Sequence, residues 1–161
     1  MDKILAGILT FLLWIMPWCN GLYGLRERVT FDRNVVMNEI SIQVQTRNVA
    51  NLESMMRPWF KNNVPDLTDK INDFYNAIDG NITSIEKGVE ESMNTGGVYS
   101  ERLSFYVTMD DQTYYNLVIW YDVSNTENPS EVGISVISLS KGKTVDPDYT
   151  IHFSLKAPDR N

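Results

Sequence analysis

The stretch Thr113–Val123, TYYNLVIWYDV, constrains the fold more than any other part of the chain. β-Branched and aromatic residues fill it, and no glycine or proline interrupts it, so it reads as a β-strand. Successive side chains of a strand point to opposite faces. Tyr115, Leu117, Ile119, Tyr121 and Val123 therefore make one face, which is uniformly apolar. Tyr114, Asn116, Val118, Trp120 and Asp122 make the other, where Asn116 and Asp122 stand among aromatics. A strand with so little polar surface belongs inside a sheet that is covered on at least one side. The rest of the chain can be read as what pairs with it and what covers it.

Its partners lie on both sides in sequence. Glu101–Met109 alternates, with Leu103, Phe105 and Val107 on one face, and Asp110–Asp111 is a hairpin turn before the central strand. Ser124–Ser130 is the next connection, and Val132–Ser140 is the last strong strand. Ile82–Lys87 is a short strand, followed by a polar loop over Glu90–Gly97. A weaker strand falls at Tyr149–Leu155, within a polar C-terminal tail over residues 142–161.

The covering elements precede the strands. Leu67, Ile71, Phe74, Tyr75 and Ile78 repeat at helical spacing, with Asp66 as N-cap and Gly80 as left-handed stop. Leu52, Met55 and Met56 mark a short helix capped by Asn48 and ended near Arg57 by Pro58. Asp32–Thr46 carries two patterns. Val36, Ile40 and Val44 share a helical face, whereas Ile40, Ile42 and Val44 alternate as in a strand. We read it as a helix. The chain is thus an α+β protein with N-terminal helices packed on an antiparallel sheet, its domain spanning residues 31–141 after a linker over 22–30.

Residues 1–21 read as an export signal. Lys3 precedes the uncharged run Ile4–Met16, which ends at Pro17. A spanning helix needs ~20 apolar residues, so the run fits a signal segment better than a permanent span. Cys19 sits where a bacterial lipoprotein carries its lipid. Cys19 and Gly21 also fit an ordinary cleavage site, and an uncut anchor is the third option. The expected address is outside the cytoplasm, on the outer face of the membrane or secreted, with membrane contact only through this segment.

The remaining chemistry is sparse. A net charge of −7, with Lys and Arg scattered, lacks the footprint for nucleic acid. With one cysteine, Cys19, and one histidine, His152, zinc sites and cysteine- or serine-based triads are not expected. Asp110–Asp111 and Glu90–Glu91 fall in predicted turns, where adjacent side chains diverge. Asp146 and Asp148 lack the further oxygen ligands that a calcium loop requires. No metal and no cofactor is expected.

Helix, short helix, helix and then a meander of strands is the order of the cystatin-like cone, the fold of nuclear transport factor 2 and its relatives. Within it, the chain resembles a family of small exported proteins and lipoproteins of Gram-positive bacteria, domain of unknown function 5104. The resemblance rests on Asp66–Glu86, DLTDKINDFYNAIDGNITSIE, and Thr126–Leu139, TENPSEVGISVISL, with Tyr115–Val123 between them. It runs from about Arg47 to Lys141. It implies a curved sheet around a helix with a pocket at the open end, and no reaction, because the family has no established activity.

Two functions follow from which way the central strand faces. The Leu117 face is the more uniformly apolar, so it should meet the helices. Tyr114, Asn116, Val118 and Trp120 then form an outer surface for a protein partner, a small ligand or a second copy pairing through the sheet, with Asp122 solvated beside them. In the opposite orientation Asp122 and Asn116 enter the pocket. Asp122 then becomes the general base of a small isomerase, dehydratase or hydrolase, as in enzymes of the cone superfamily.

Overall fold

The competing patterns in Asp32–Thr46 are resolved in favour of the helix. The computed structural model describes residues 31–142 and 150–157, and α1 spans Arg33–Thr46. Met37, Ile40, Gln43 and Val44 are buried at helical spacing, whereas Ile42, which a strand would align with Ile40 and Val44, is 58% exposed. Arg47 ends the helix in the left-handed region at φ 49°. The amides of Arg47 and Asn48 donate back to the carbonyls of Val44 and Gln43, as in a Schellman stop.

The following helices are short. Asn48 caps α2, Val49–Ser54, its side chain accepting from the amide of Asn51 at 3.0 Å. α2 ends at Ser54 with Met55 as its C-cap, earlier than the end near Arg57 expected from Pro58, and Pro58 instead opens a further turn, α3, Pro58–Asn63, at the first helical position where its missing N–H costs nothing. Trp59 and Phe60, expected beside a helix end, lie within it. In α4, Leu67–Asn76, the apolar stripe is buried. Asp66 precedes it without a side-chain capping bond, so the expected cap is not made, although Asp69 does occupy the first turn. Gly80 has the expected positive φ of 93° but lies beyond the helix, in the turn to the sheet.

The sheet has five strands in sequence order: β1 Ile82–Thr95, β2 Val98–Met109, β3 Tyr114–Asn125, β4 Gly133–Lys141 and β5 Thr150–Lys156. Every neighbouring pair is antiparallel. The main correction is β1. The segment Glu90–Gly97, read as a loop, continues the strand to Thr95, and only Gly96 and Gly97 turn. As an edge strand, β1 has one paired neighbour and is largely solvated, so it needs no apolar alternation. The weak strand near the C-terminus does form, and it pairs with β4.

Register explains the core. Leu103, Ile119 and Ile137 align across β2, β3 and β4, as do Phe105, Leu117 and Leu139. All six are fully buried, in one cluster with Met37, Ile40, Phe60, Ile71 and Phe74 from the helices. The odd face of β3 therefore meets the helices.

Candidate functional site

The even face of β3 carries the residues singled out from sequence, and they fall into two environments. Tyr114 is 37% exposed, while Val118 and Trp120 are half-buried rather than open as expected. Asn116 is buried, 6% exposed, and Asp122 is wholly buried. A solvated Asp122 on an outer surface is therefore a misreading. Two irregularities and one distant arginine explain its burial.

The register slips between Tyr99 and Ser100 on β2, and again between Trp120 and Tyr121 where β3 meets β4. Such bulges re-aim side chains. They bring Ser100 and Ser135 to the same carboxylate oxygen of Asp122, donating at 2.8 and 3.0 Å. Arg57, in the link between α2 and α3, donates from Nη1 to the other oxygen at 3.0 Å and is itself only 4% exposed. Its Nε donates to Glu131 at 3.3 Å, and the same Glu131 oxygen accepts the amide of Trp59 at 3.0 Å.

Backbone holds this clasp in register. Met56 bridges Ile134 in parallel, the amide of Arg57 donates to the carbonyl of Ile134, and the amide of Ile134 donates to that of Met55. Gly133 permits the approach: its φ is 122°, and a Cβ there would lie 2.7 Å from the carbonyl oxygen of Met55. Asp122 thus has both oxygens occupied and a fixed guanidinium beside it. That suits a structural anchor better than a group that must accept a substrate proton.

A second buried carboxylate went unnoticed in the sequence. Glu101 is 2% exposed and accepts from Arg33, Ser92 and the Tyr99 hydroxyl. Arg33 also pairs with Glu90 at 2.8 Å, and this bond raises its already high pKa further. The signal was present, because Glu101 shares the inward parity of Leu103 and Phe105. Tyr121, opposite Glu101 in register, has its phenol pKa raised by burial and, secondarily, by Glu39.

A groove of about 560 Å³ opens where the C-terminal ends of α1 and α4 meet the start of β1, lined by Gln45, Arg47, Asn76, Asp79 and Asn81 among others. Arg47 braces it, donating to the carbonyls of Tyr75, Ile78 and Gly80. Gln45 donates to Ile82 and Asn81 to Asp110, so much of the lining is already engaged in holding the turn.

The outward face of the sheet is different in kind. Tyr106 on β2, opposite Asn116, is 42% exposed. Its ring lies over Gly88, where a Cβ would meet it at 3.0 Å. The amide oxygen of Asn116 has no hydrogen-bond partner. Among the described residues no three His, Cys, Asp or Glu side chains group as metal ligands, and no helix is long and apolar enough to cross a membrane. Cys19 lies outside the described residues.

A comparison with curated proteins finds no match. The family described as domain of unknown function (DUF5104) matches residues 42–142, well over half of the 161-residue chain. The match takes in the end of α1, the three short helices and the sheet through β4. The chain belongs to the DUF5104 family.

Proposed function

We propose that this chain is an exported, non-enzymatic binding domain of the cystatin-like cone type, acting at the cell envelope through the outward face of its sheet. The observation that carries this reading is the saturation of Asp122. Its carboxylate is fully buried and held by Arg57, Ser100 and Ser135, so the residue most eligible as a general base is occupied in holding the α2–α3 link to the sheet. Tyr106 and Tyr114 are partly exposed on the outward face, 42% and 37%, and aromatics of this kind anchor interfaces. The apolar run Ile4–Met16 supports export, with Cys19 as the attachment point if the segment carries lipid. The helix order before a five-stranded antiparallel sheet supports the cone assignment.

Capture of the tagged chain from its native envelope, beside a Tyr106→Ala, Tyr114→Ala double variant, tests the reading. A companion retained by the wild type and lost by the variant supports it. Turnover of a substrate abolished by Asp122→Asn, with the variant still folded, would restore the enzyme alternative. Cys19→Ser should leave export intact and release the protein into the medium if that thiol carries the lipid.

A further inference from the structure

We infer that two copies of this chain pair through the free edge of β1, over Glu91–Thr95, into a weak symmetric dimer with one continuous sheet. Self-association of this kind is separate from the binding-domain reading above.

The edge is open. β1 is the first strand of the sheet, and among the described residues it pairs with β2 alone. A strand edge carries a row of backbone N–H and C=O groups, a ready template for another strand. The register slip between Lys87 and Glu90 divides this edge in two. Before the slip, side chains tie it to α1: Gln45 donates to the carbonyl of Ile82 at 3.0 Å, and Lys87 donates to Asn34 at 3.3 Å. After it, Glu90–Thr95 pairs regularly with β2, and all six residues are exposed.

The usual guards are missing from that second half. Native edges are blunted by proline, by lysine or by other charge. Glu90–Thr95 has neither proline nor lysine. Both its glutamates are matched within the chain, Glu90 to Arg33 at 2.8 Å and Glu91 to Arg102 at 3.6 Å. Met93 is 38% exposed, and Val89, at the slip, is 56% exposed.

The sequence of this edge complements itself. A twofold axis through Met93 makes the antiparallel pairing isologous, and directly opposite side chains then share a face. Met93 meets Met93 of the second copy. Ser92 meets Asn94 and Glu91 meets Thr95, each twice. An apolar pair sits on the axis, polar uncharged groups flank it, and no like charges stand opposite one another. That condition matters between copies that each carry −7, because like charges directly opposite are destabilising. Moving the axis to Glu91 would set that glutamate against itself. The span is short. Pairing five residues buries on the order of 400 Å² per partner, half of the roughly 800 Å² of a standard interface, so the dimer is weak and concentration-dependent.

The test is sedimentation equilibrium of the full chain in detergent, from micromolar to millimolar concentration, together with disulfide trapping. Wild type should pass from monomer to dimer across that range. Met93→Lys sets two cations face to face on the axis. It should weaken the dimer at least about tenfold and melt near wild type, because the side chain it replaces is exposed. In a Cys19→Ser background, Met93→Cys should cross-link to its own copy on mild oxidation, since opposed strand positions bring the two Cα atoms within disulfide reach. Glu86→Cys, exposed on the same strand before the slip, should not. A chain that stays monomeric at millimolar concentration would overturn the inference. So would Met93→Lys associating as well as wild type, or Glu86→Cys cross-linking as readily as Met93→Cys. A monomer whose envelope capture depends on Met93 would give the edge to a foreign strand and overturn the second copy as its occupant.

Discussion

Removing the carboxylate of Asp122 should destabilise the domain by about 4 kcal/mol. In Asp122→Ala, the guanidinium of Arg57 loses a partner at 3.0 Å in a site where both side chains are almost fully buried. At an effective dielectric of ~20, that attraction is worth about 5–6 kcal/mol, and breaking buried pairs costs about 3–5 kcal/mol. Arg57 keeps Glu131 at 3.3 Å, which places the loss at the lower end of that range, near 3 kcal/mol. The hydroxyl of Ser135 can turn to the carbonyl of Trp120 at 3.3 Å. Loss of the Ser100 bond to Asp122 adds about 1 kcal/mol. Urea unfolding of Asp122→Ala, Arg57→Ala and the double variant measures the sum and the coupling. The double variant should cost less than the two single losses added together, since neither charge is left alone. A loss below about 1 kcal/mol in Asp122→Ala would refute the reasoning, because it would mean that the clasp is solvated.

Other perturbations follow from the same geometry. Gly133→Ala puts a Cβ 2.7 Å from the carbonyl of Met55 at a φ of 122°, so it should melt well below wild type in a calorimetric scan. Arg47→Ala loses three carbonyl contacts and keeps a left-handed residue at φ 49°. Arg47→Gly loses the same contacts without the backbone penalty and should be more stable than Arg47→Ala by about 1 kcal/mol in chemical denaturation. Phe74→Ala empties a fully buried site in the core and should cost about 3–5 kcal/mol in the same assay. Burial raises the pKa of the Tyr75 and Tyr121 phenols. Their contribution is therefore complete below the ordinary tyrosine value of about 10 and is lost as pH rises through and beyond it. Tyrosinate absorbance should show both ionising later than free tyrosine, with stability falling across that alkaline range.

Local pattern was enough for α2, α4 and most of the sheet; it missed α3, Pro58–Asn63, and failed where the deciding contact is distant in sequence. The stripe of α4 and the parity of Tyr115, Leu117 and Ile119 are properties of single elements, readable from spacing alone. The choice of helix for α1 needed the fold order as well, since Ile40, Ile42 and Val44 fit either period. Glu90–Thr95 misled because an exposed edge strand has no face to bury, so its composition resembles that of a loop. Burial of Asp122 was not legible, since it depends on Arg57 arriving from another element and on two bulges that shift parity. Burial of Glu101 was legible in principle. It continues the inward set of Leu103, Phe105 and Val107 along the same strand face.

The measurement closest to the central claim separates recognition from folding on the two sides of β3. Purified chain is sedimented with isolated cell walls of the organism that makes it, and each variant is melted in parallel. Tyr106→Ala, Tyr114→Ala should stay in the supernatant and melt near wild type, while Leu117→Ser should not fold. Co-sedimentation of the tyrosine variant equal to wild type, or a melt as low as that of Leu117→Ser, would contradict it.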